Sequence, residues 1–274
     1  MAPRATRTTR QALRLRLATA ALALPLLLVI VWAGNPWVGA AAAAAAVVAL
    51  HEAYTLAAGA GRAVLRWPGM VLGLATVSAA LLDGLAVLVV FGAGSVVVFG
   101  IALYRRCVAD AVRDSLTTVA ASAYVALSLA AAVLLRERAM GLEWLLLVFL
   151  SVFATDTAAY FVGRVLGRRA MAPSISPGKT WEGALGGLLG GAAAAVALVA
   201  VFDLTWVFGA VIGLGLGVSV LAQGGDLLES KAKRLASAKD SGTLFPGHGG
   251  LLDRMDSLLP AFVLVYYVAW MWPQ

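Results

Sequence analysis

The sequence predicts an all-α polytopic integral membrane protein with about nine transmembrane helices. Hydrophobic residues make up 62% of its 274 positions and charged residues 13%, against about 25% charged in an ordinary soluble domain. The apolar residues come in runs near the roughly 17 to 25 that a helix needs to cross a bilayer. The 21 lysines and arginines crowd into alternate connections between those runs.

Taken in order, the N-terminal tail carries Arg4, Arg7, Arg10, Arg14 and Arg16 ahead of a first apolar segment, about Leu17 to Ala33. A cationic start before an apolar run also fits a signal peptide, but the polytopic remainder favours a first membrane helix. Gly34-Asn35-Pro36 reads as a turn. The second span covers about Val38 to Ala58. The apolar stretch from Pro68 is too long for one crossing, and Asp83-Gly84 divides it into about Pro68–Leu82 and Leu85–Tyr104. Further spans follow at about Ser115–Leu135, Leu142–Val162, Gly183–Val201, Trp206–Gln223 and Ser257–Trp272, the third and ninth slightly short. The chain divides into an N-terminal region, 1–140, of about five spans and a C-terminal region, 141–274, of about four, with polar loops at 163–182 and 224–256.

With the N-terminus inside, the cytoplasmic segments are the tail, 59–67, 105–114, 163–182 and 224–256. They hold every lysine and arginine except Arg136 and Arg138. This is the positive-inside asymmetry. The expected location is the cell (plasma) membrane, multi-pass, with both polar loops in the cytoplasm. The net charge of +7 is then topology signal and contact with anionic lipid, so the bilayer is the expected partner and nucleic acid is not. The single cysteine, Cys107, excludes an internal disulfide and a cysteine metal site, and is expected to pack.

The polar run from Gly225 to Ser257 is where chemistry on a charged substrate belongs. Asp226, Ser230 and Lys233 fall at i, i+4 and i+7, sharing one helical face with Glu229 beside them. Helix formers continue to about Ala238. Gly242, Gly247, Gly249 and Gly250 then make a loop whose backbone can approach an anion closely. Carboxylates beside lysines and such a loop suit a Mg²⁺-bound polyphosphate; a solvated loop whose charges anchor helix ends is the bland alternative.

A second polar cluster surrounds the sixth span. Asp156 lies inside it, where a carboxylate is costly and marks a functional candidate; a structural Asp hydrogen-bonded through Thr155 or Thr157 is the alternative. Ser176-Pro177-Gly178-Lys179-Thr180 has the composition of a phosphate-binding turn without the spacing of a P-loop. Thr180 is placed to cap the seventh span. His51-Glu52, near the inner end of the second span, reads as a helix-end polar pair.

Two stretches, Ser230-x-x-Lys233-Arg234…Lys239-Asp240-x-Gly242 and Pro246-x-His248-Gly249-Gly250-x-x-Asp253-Arg254-x-Asp256, strongly resemble the signature of phosphatidate cytidylyltransferases (CDP-diacylglycerol synthases). Asp156-Thr157-Ala158-Ala159-Tyr160 and Ser176 to Gly183 look like the same family. Ala232 stands where the family usually has a larger aliphatic residue, a packing difference. The resemblance implies an integral membrane enzyme that joins CTP to phosphatidic acid, giving CDP-diacylglycerol and pyrophosphate. On it, Asp226 and Asp253 are Mg²⁺ ligands, with Asp256 and Ser230 as additional ligands or their supports. K⁺ is implied as a second cation. Lys233, Arg234, Lys239 and Arg254 contact phosphates, with Ser176, Lys179 and Thr180 meeting them from the other loop. His248 is a phosphate donor or loop-holding group, and Gly249 and Gly250 give close backbone approach. A homodimer is allowed for. A CTP-dependent enzyme acting on another lipid, and an ion-coupled transporter using Asp156, remain as alternatives.

All four lysines (Lys179, Lys231, Lys233, Lys239) fall in the two polar loops of a chain that otherwise uses arginine. A compact ammonium and a planar guanidinium are not interchangeable at a phosphate. Lys239→Arg is therefore expected to lower turnover in a CTP-dependent assay although charge is retained; wild-type turnover would make the lysine placement an accident.

Overall fold

The computed structural model describes residues 25–271, apart from 106, 203, 205, 243 and 245–248. The tail arginines, the start of the first span, His248 and Trp272 lie outside the described residues. The remainder is helical with one small hairpin. A first helix, α1, covers 25–33. It is followed by α2 (Trp37–Gly59), α3 (Arg66–Ala79), α4 (Gly84–Arg105), α5 (Val108–Ser122), a π-helical turn (Ala123–Leu127), α6 (Ser128–Glu137) and α7 (Gly141–Leu166). Strands β1 (Ala170–Ala172) and β2 (Ser176–Thr180) come next, then α8 (Trp181–Val201), α9 (Phe208–Leu235), α10 (Leu252–Met255) and α11 (Leu258–Met271).

Six helical stretches among the described residues are long and apolar enough to cross a membrane, and α11 is a shorter apolar helix. The protein is an all-α, multi-pass membrane protein. Three expected boundaries move. The fifth span is a continuous stretch, Val108–Glu137, that begins seven residues before the expected start at Ser115. Asp110, Arg113 and Asp114 are good enough in a helix that polarity alone does not break it, so 105–114 is mostly helix instead of loop. The eighth span runs without a break into the charged segment. At about 1.5 Å per residue, 28 residues make roughly 42 Å, more than the roughly 30 Å hydrocarbon layer. The last turns, carrying Asp226 to Arg234, therefore project beyond the layer. The loop expected over 163–182 contains an antiparallel hairpin, with Ala170 opposite Thr180 and Ala172 opposite Ser176.

Two hydrophobic clusters hold the bundle. One gathers Trp144, Val148 and Val152 of α7, Leu198 of α8, Val218 of α9 and Phe262 of α11. The other gathers Leu50 and Tyr54 of α2, Val77 of α3 and Leu129 of α6, and it takes in Leu252 of α10 and Leu259 of α11. The second cluster thus spans both halves of the chain. Helices α7, α8 and α9 approach closely through small residues. A Cβ on Gly187 or Gly191 would meet the backbone of Thr155 or Ser151, and the Thr155 and Ser219 hydroxyls bond across the seam at 2.8 Å. Small residues with an interhelical hydroxyl bond are how apolar helices associate when lipid offers no hydrophobic advantage. Thr155 is therefore spent on Ser219 and leaves Asp156 to other work.

The two ends of the bundle differ. At one, Arg136 Nε donates to the carbonyl of Val31 and Asn35 Nδ2 to that of Val133. At the other, Arg234 Nε donates to the carbonyl of Ile175 in the hairpin turn, and Gly59 packs on Ala236. Both polar segments share this second end.

Cys107 does not pack. It is exposed just ahead of α5, and its thiol donates to Asp110 at 3.3 Å. With Cys107 the chain's single thiol, it reports the sidedness of the α4–α5 connection. A membrane-impermeant maleimide is expected to label it in inverted vesicles and not in intact cells; labelling of intact cells would turn the charge-based orientation over.

Candidate active site

The site is built where α9 leaves the bilayer. Its C-terminal turns present Asp226, Glu229, Ser230 and Lys233 from one face, as their spacing requires. Glu229 and Lys233 pair along the helix at 2.5 Å, and the same ammonium reaches Asp253 of α10 at 2.7 Å. The Asp253 carboxylate is closed on its other oxygen by the N–H groups of Gly250 (2.7 Å) and Ser241 (2.9 Å). Burial works to raise the Asp253 carboxyl, but its bonding with Glu229, Lys233, Gly250 and Ser241 outweighs burial and holds it well below the usual carboxylate range. It is a permanently charged anchor between α9 and the glycine-rich segment.

Asp226 faces a different neighbourhood. Its Oδ2 meets Lys179 of the hairpin at 2.5 Å and its Oδ1 accepts from Ser230 at 3.2 Å. Beside it comes Asp256, whose backbone packs so tightly on Gly225 that a Cβ there would overlap the Asp256 carbonyl. Tyr124 donates to the same carbonyl at 3.0 Å, and Asp256 Oδ1 accepts from Ser257 N at 2.7 Å. Burial first, and then the charge on Asp226, push the Asp256 carboxyl up to about 6. Two carboxylates that repel each other at the membrane face form a donor set that a hard divalent cation would relieve. Among the described residues no three His, Cys, Asp or Glu side chains form a ready cage. One or two carboxylates completed by substrate phosphates and water are the usual holding for Mg²⁺, and Asp226 with Asp256 fits it.

Beside Asp226 lies a cavity of about 260 Å³, lined among others by Asp156, Tyr160, Lys179, Thr180, Gln223 and Asp226. The structure thus brings the two polar clusters into one site. Asp156 has neither of the partners proposed for it, Thr155 or Thr157, and opens onto the cavity. Thr180 caps α8, its hydroxyl accepting from Gly183 N at 3.1 Å. Glu182 extends that cap by accepting from the N–H groups of Arg168 and Arg169.

The remaining expected residues are placed as follows. Ser176 opens β2. Arg234 holds the hairpin through the Ile175 carbonyl. Lys239 and Arg254 are exposed at the same end. Gly249 has φ +81°, and a side chain there would strike the Asp253 carboxylate at 2.5 Å, so glycine is required. Gly250 spends its N–H on Asp253, which makes it a holder of that carboxylate first.

Sequence reasoning placed Glu229 beside the site face without giving it a role, missed Ser241 and misread Glu52. Glu229 carried a signal, four residues before Lys233 on one face. Ser241 carried none. Glu52, read as half of a helix-end pair, is instead buried at 5% exposure and bonded into the glycine-rich segment.

The matches to known proteins cover the same ground. The model of the cytidylyltransferase family matches residues 14–272. A protein of Brucella suis named phosphatidate cytidylyltransferase is 43% identical over 130 residues, 47% of this chain and 48% of the relative. Proteins of the same name from Haemophilus influenzae (43% over 134 residues, 46% of each chain) and Staphylococcus aureus (43% over 127 residues, 46% of this chain and 48% of the relative) are similarly close. The chain spans about half the length of the curated relatives it matches. With the family model running through nearly all of its helices, the chain belongs to the cytidylyltransferase family.

Proposed function

We propose that the protein transfers the cytidylyl group of CTP to phosphatidic acid, releasing pyrophosphate and forming CDP-diacylglycerol, on the cytoplasmic face of the cell membrane. The observation that carries this reading is the convergence of the α7–hairpin–α8 segment and the α9–α10 segment on one cavity at the membrane boundary. A soluble nucleotide can reach that position from outside the bilayer, and a lipid head group from within it.

The reaction joins two polyanions. A phosphate oxygen of phosphatidic acid attacks the α-phosphorus of CTP, and the bond from that phosphorus to the β-bridging oxygen breaks to release pyrophosphate. The attacking phosphomonoester has a second pKa of about 6, so it is mostly dianionic at neutral pH and needs no strong base. The main barrier is charge repulsion. Lys179, Arg234, Lys239 and Arg254 would reduce it, since cations fixed near developing negative charge act without reorganising. Lys233 acts on Asp253 and keeps the glycine-rich segment against α9. Mg²⁺, when bound at Asp226 and Asp256, would neutralise phosphate charge and favour departure of pyrophosphate. Asp253 is one step removed in this arrangement, and a monovalent cation such as K⁺ is a second candidate for the acidic pocket. Asp156 faces the same pocket from inside the bilayer.

The direct test is purified protein in detergent with labelled CTP, phosphatidic acid and Mg²⁺, where labelled CDP-lipid should accumulate with pyrophosphate. Absence of product with phosphatidic acid, but product with a polyprenyl or ether-lipid phosphate, would reassign the acceptor. In the same assay Asp226→Asn and Asp253→Asn are each expected to lower synthesis by about 100-fold, the upper range for disturbing a metal or its supports. Because the two act as a unit, the double variant should be little worse than either single. Asp240→Asn should lose far less. An Asp226 variant with near-normal activity and an unchanged Mg²⁺ requirement would overturn the metal assignment, and an Asp253 variant with near-normal activity would show that its anchoring is not needed for turnover.

A further inference from the structure

Glu52 belongs to α2, in the half of the chain that carries none of the residues assigned above. Its buried carboxylate nevertheless sits between the two stems of the glycine-rich segment. Oε2 accepts from the Ser241 hydroxyl at 3.0 Å and from Leu252 N at 2.8 Å; Oε1 accepts from Leu251 N at 3.1 Å. A Cβ on Gly242 or on Gly250 would run into this carboxylate. Two of the glycines in the signature are thus explained by the approach of Glu52.

The contact continues to Asp253. Ser241 gives its hydroxyl proton to Glu52, which leaves the hydroxyl oxygen free to accept from Asp253 N at 3.3 Å. Ser241 N and Gly250 N then close on Asp253 Oδ2. Three donors converge on the two oxygens of Glu52, an arrangement that suits a carboxylate. A glutamine in its place would turn an NH₂ toward an N–H or O–H donor, leaving a buried polar group unpaired.

We propose that Glu52 is a positioning residue: through Ser241 and the two segment stems it fixes the Asp253 carboxylate against Lys233, and so sets the geometry of the site from the N-terminal half of the protein. The role in turnover rests on the cytidylyltransfer reading; the clamp itself does not. The N-terminal helices then do more than span the bilayer, because the site is incomplete without one of their side chains.

The test uses the full chain in detergent, with two readouts. The first is CDP-lipid formation across CTP and Mg²⁺ titrations. Glu52→Gln should lower kcat by about 10- to 100-fold and raise the Mg²⁺ midpoint, the size seen when a carboxylate loses its support, with a smaller change in KM for CTP. The second needs no activity. Trypsin cleavage after Lys239, read by mass spectrometry, should speed up by about tenfold as the unclamped segment opens. Ser241→Ala should reproduce part of both effects, and adding it to Glu52→Gln should cost less than the sum of the singles. A folded Glu52→Gln protein that is less heat-stable but unchanged in kcat and Mg²⁺ midpoint would overturn the proposal. If that variant fails to fold, Ser241→Ala decides: wild-type rate and midpoint overturn the idea, and loss in both sustains it. If wild-type protein makes no CDP-lipid, the functional reading falls, while the cleavage rates still decide whether Glu52 holds the segment.

Discussion

The active end of this protein hangs on one ammonium group. Lys233 lies between Glu229 on its own helix and Asp253 on α10, with its side chain 16% exposed and theirs 2% and 6%. Two carboxylates this poorly hydrated cannot remain charged together without a cation between them. Removing one partner from a buried ionic group costs about 3–5 kcal/mol, because the other is left uncompensated. Breaking the cluster would also release α10 from α9, and with it Ser241 and Gly250, whose N–H groups bond Asp253. The charge-assisted bonds from Lys233, Ser241 and Gly250 hold Asp253 in one orientation, and the proposed reaction between polyanions needs that fixity.

The same end shows why the charged residues occur where the helices leave the membrane. Helix α9 is long enough for its apolar part to cross the hydrocarbon layer while its last turns stand outside it. Asp226 is therefore near the boundary, lining the cavity with Asp156, and Lys233 lies further along α9. The hairpin closes the site from the other flank. Thr180 and Glu182 end it by capping α8 and gathering the Arg168 and Arg169 amides, so Lys179 projects from a short strand toward Asp226. Asp226, Thr180 and Glu182 are each met by a neighbour instead of by bulk water, as low-dielectric surroundings require, while Asp156 opens onto the cavity.

Much of this was legible in the sequence. Long apolar runs and the cation asymmetry gave a polytopic helical protein with both polar segments at one end, and the i, i+4, i+7 spacing put Asp226, Ser230 and Lys233 on one helical face. What stayed hidden has physical reasons. Where α5 begins, and whether α9 runs on past Gln223, depends on helix propensity, which charged residues satisfy as well as apolar ones. The hairpin over 170–180 is too short to show a period. The Glu52 contact joins residues 189 to 200 positions apart, and no local pattern encodes a pairing of that kind. An acid in an apolar helix was a fair signal, and Asp156 was singled out by it. Glu52 gave the same signal and was discounted for lying near a helix end, a place where an acid is ordinarily solvated.

On the proposed reaction, the charges of the site divide into two groups with different duties. Glu52, Glu229, Lys233 and Asp253 are paired with one another or with backbone donors, and their net interaction is spent on holding shape. Asp156 and Asp226 line the cavity with Lys179 as the cation drawn into it, and Asp256 lies close enough to Asp226 to feel its charge. An incoming triphosphate would meet those acids as repulsion unless a divalent cation arrived with it. A cation held by Asp226 would compete with Lys179 for that carboxylate and leave the ammonium available to a phosphate. Binding of metal and of nucleotide would then each remove the obstacle to the other, a coupling that needs no conformational change beyond the swing of one lysine.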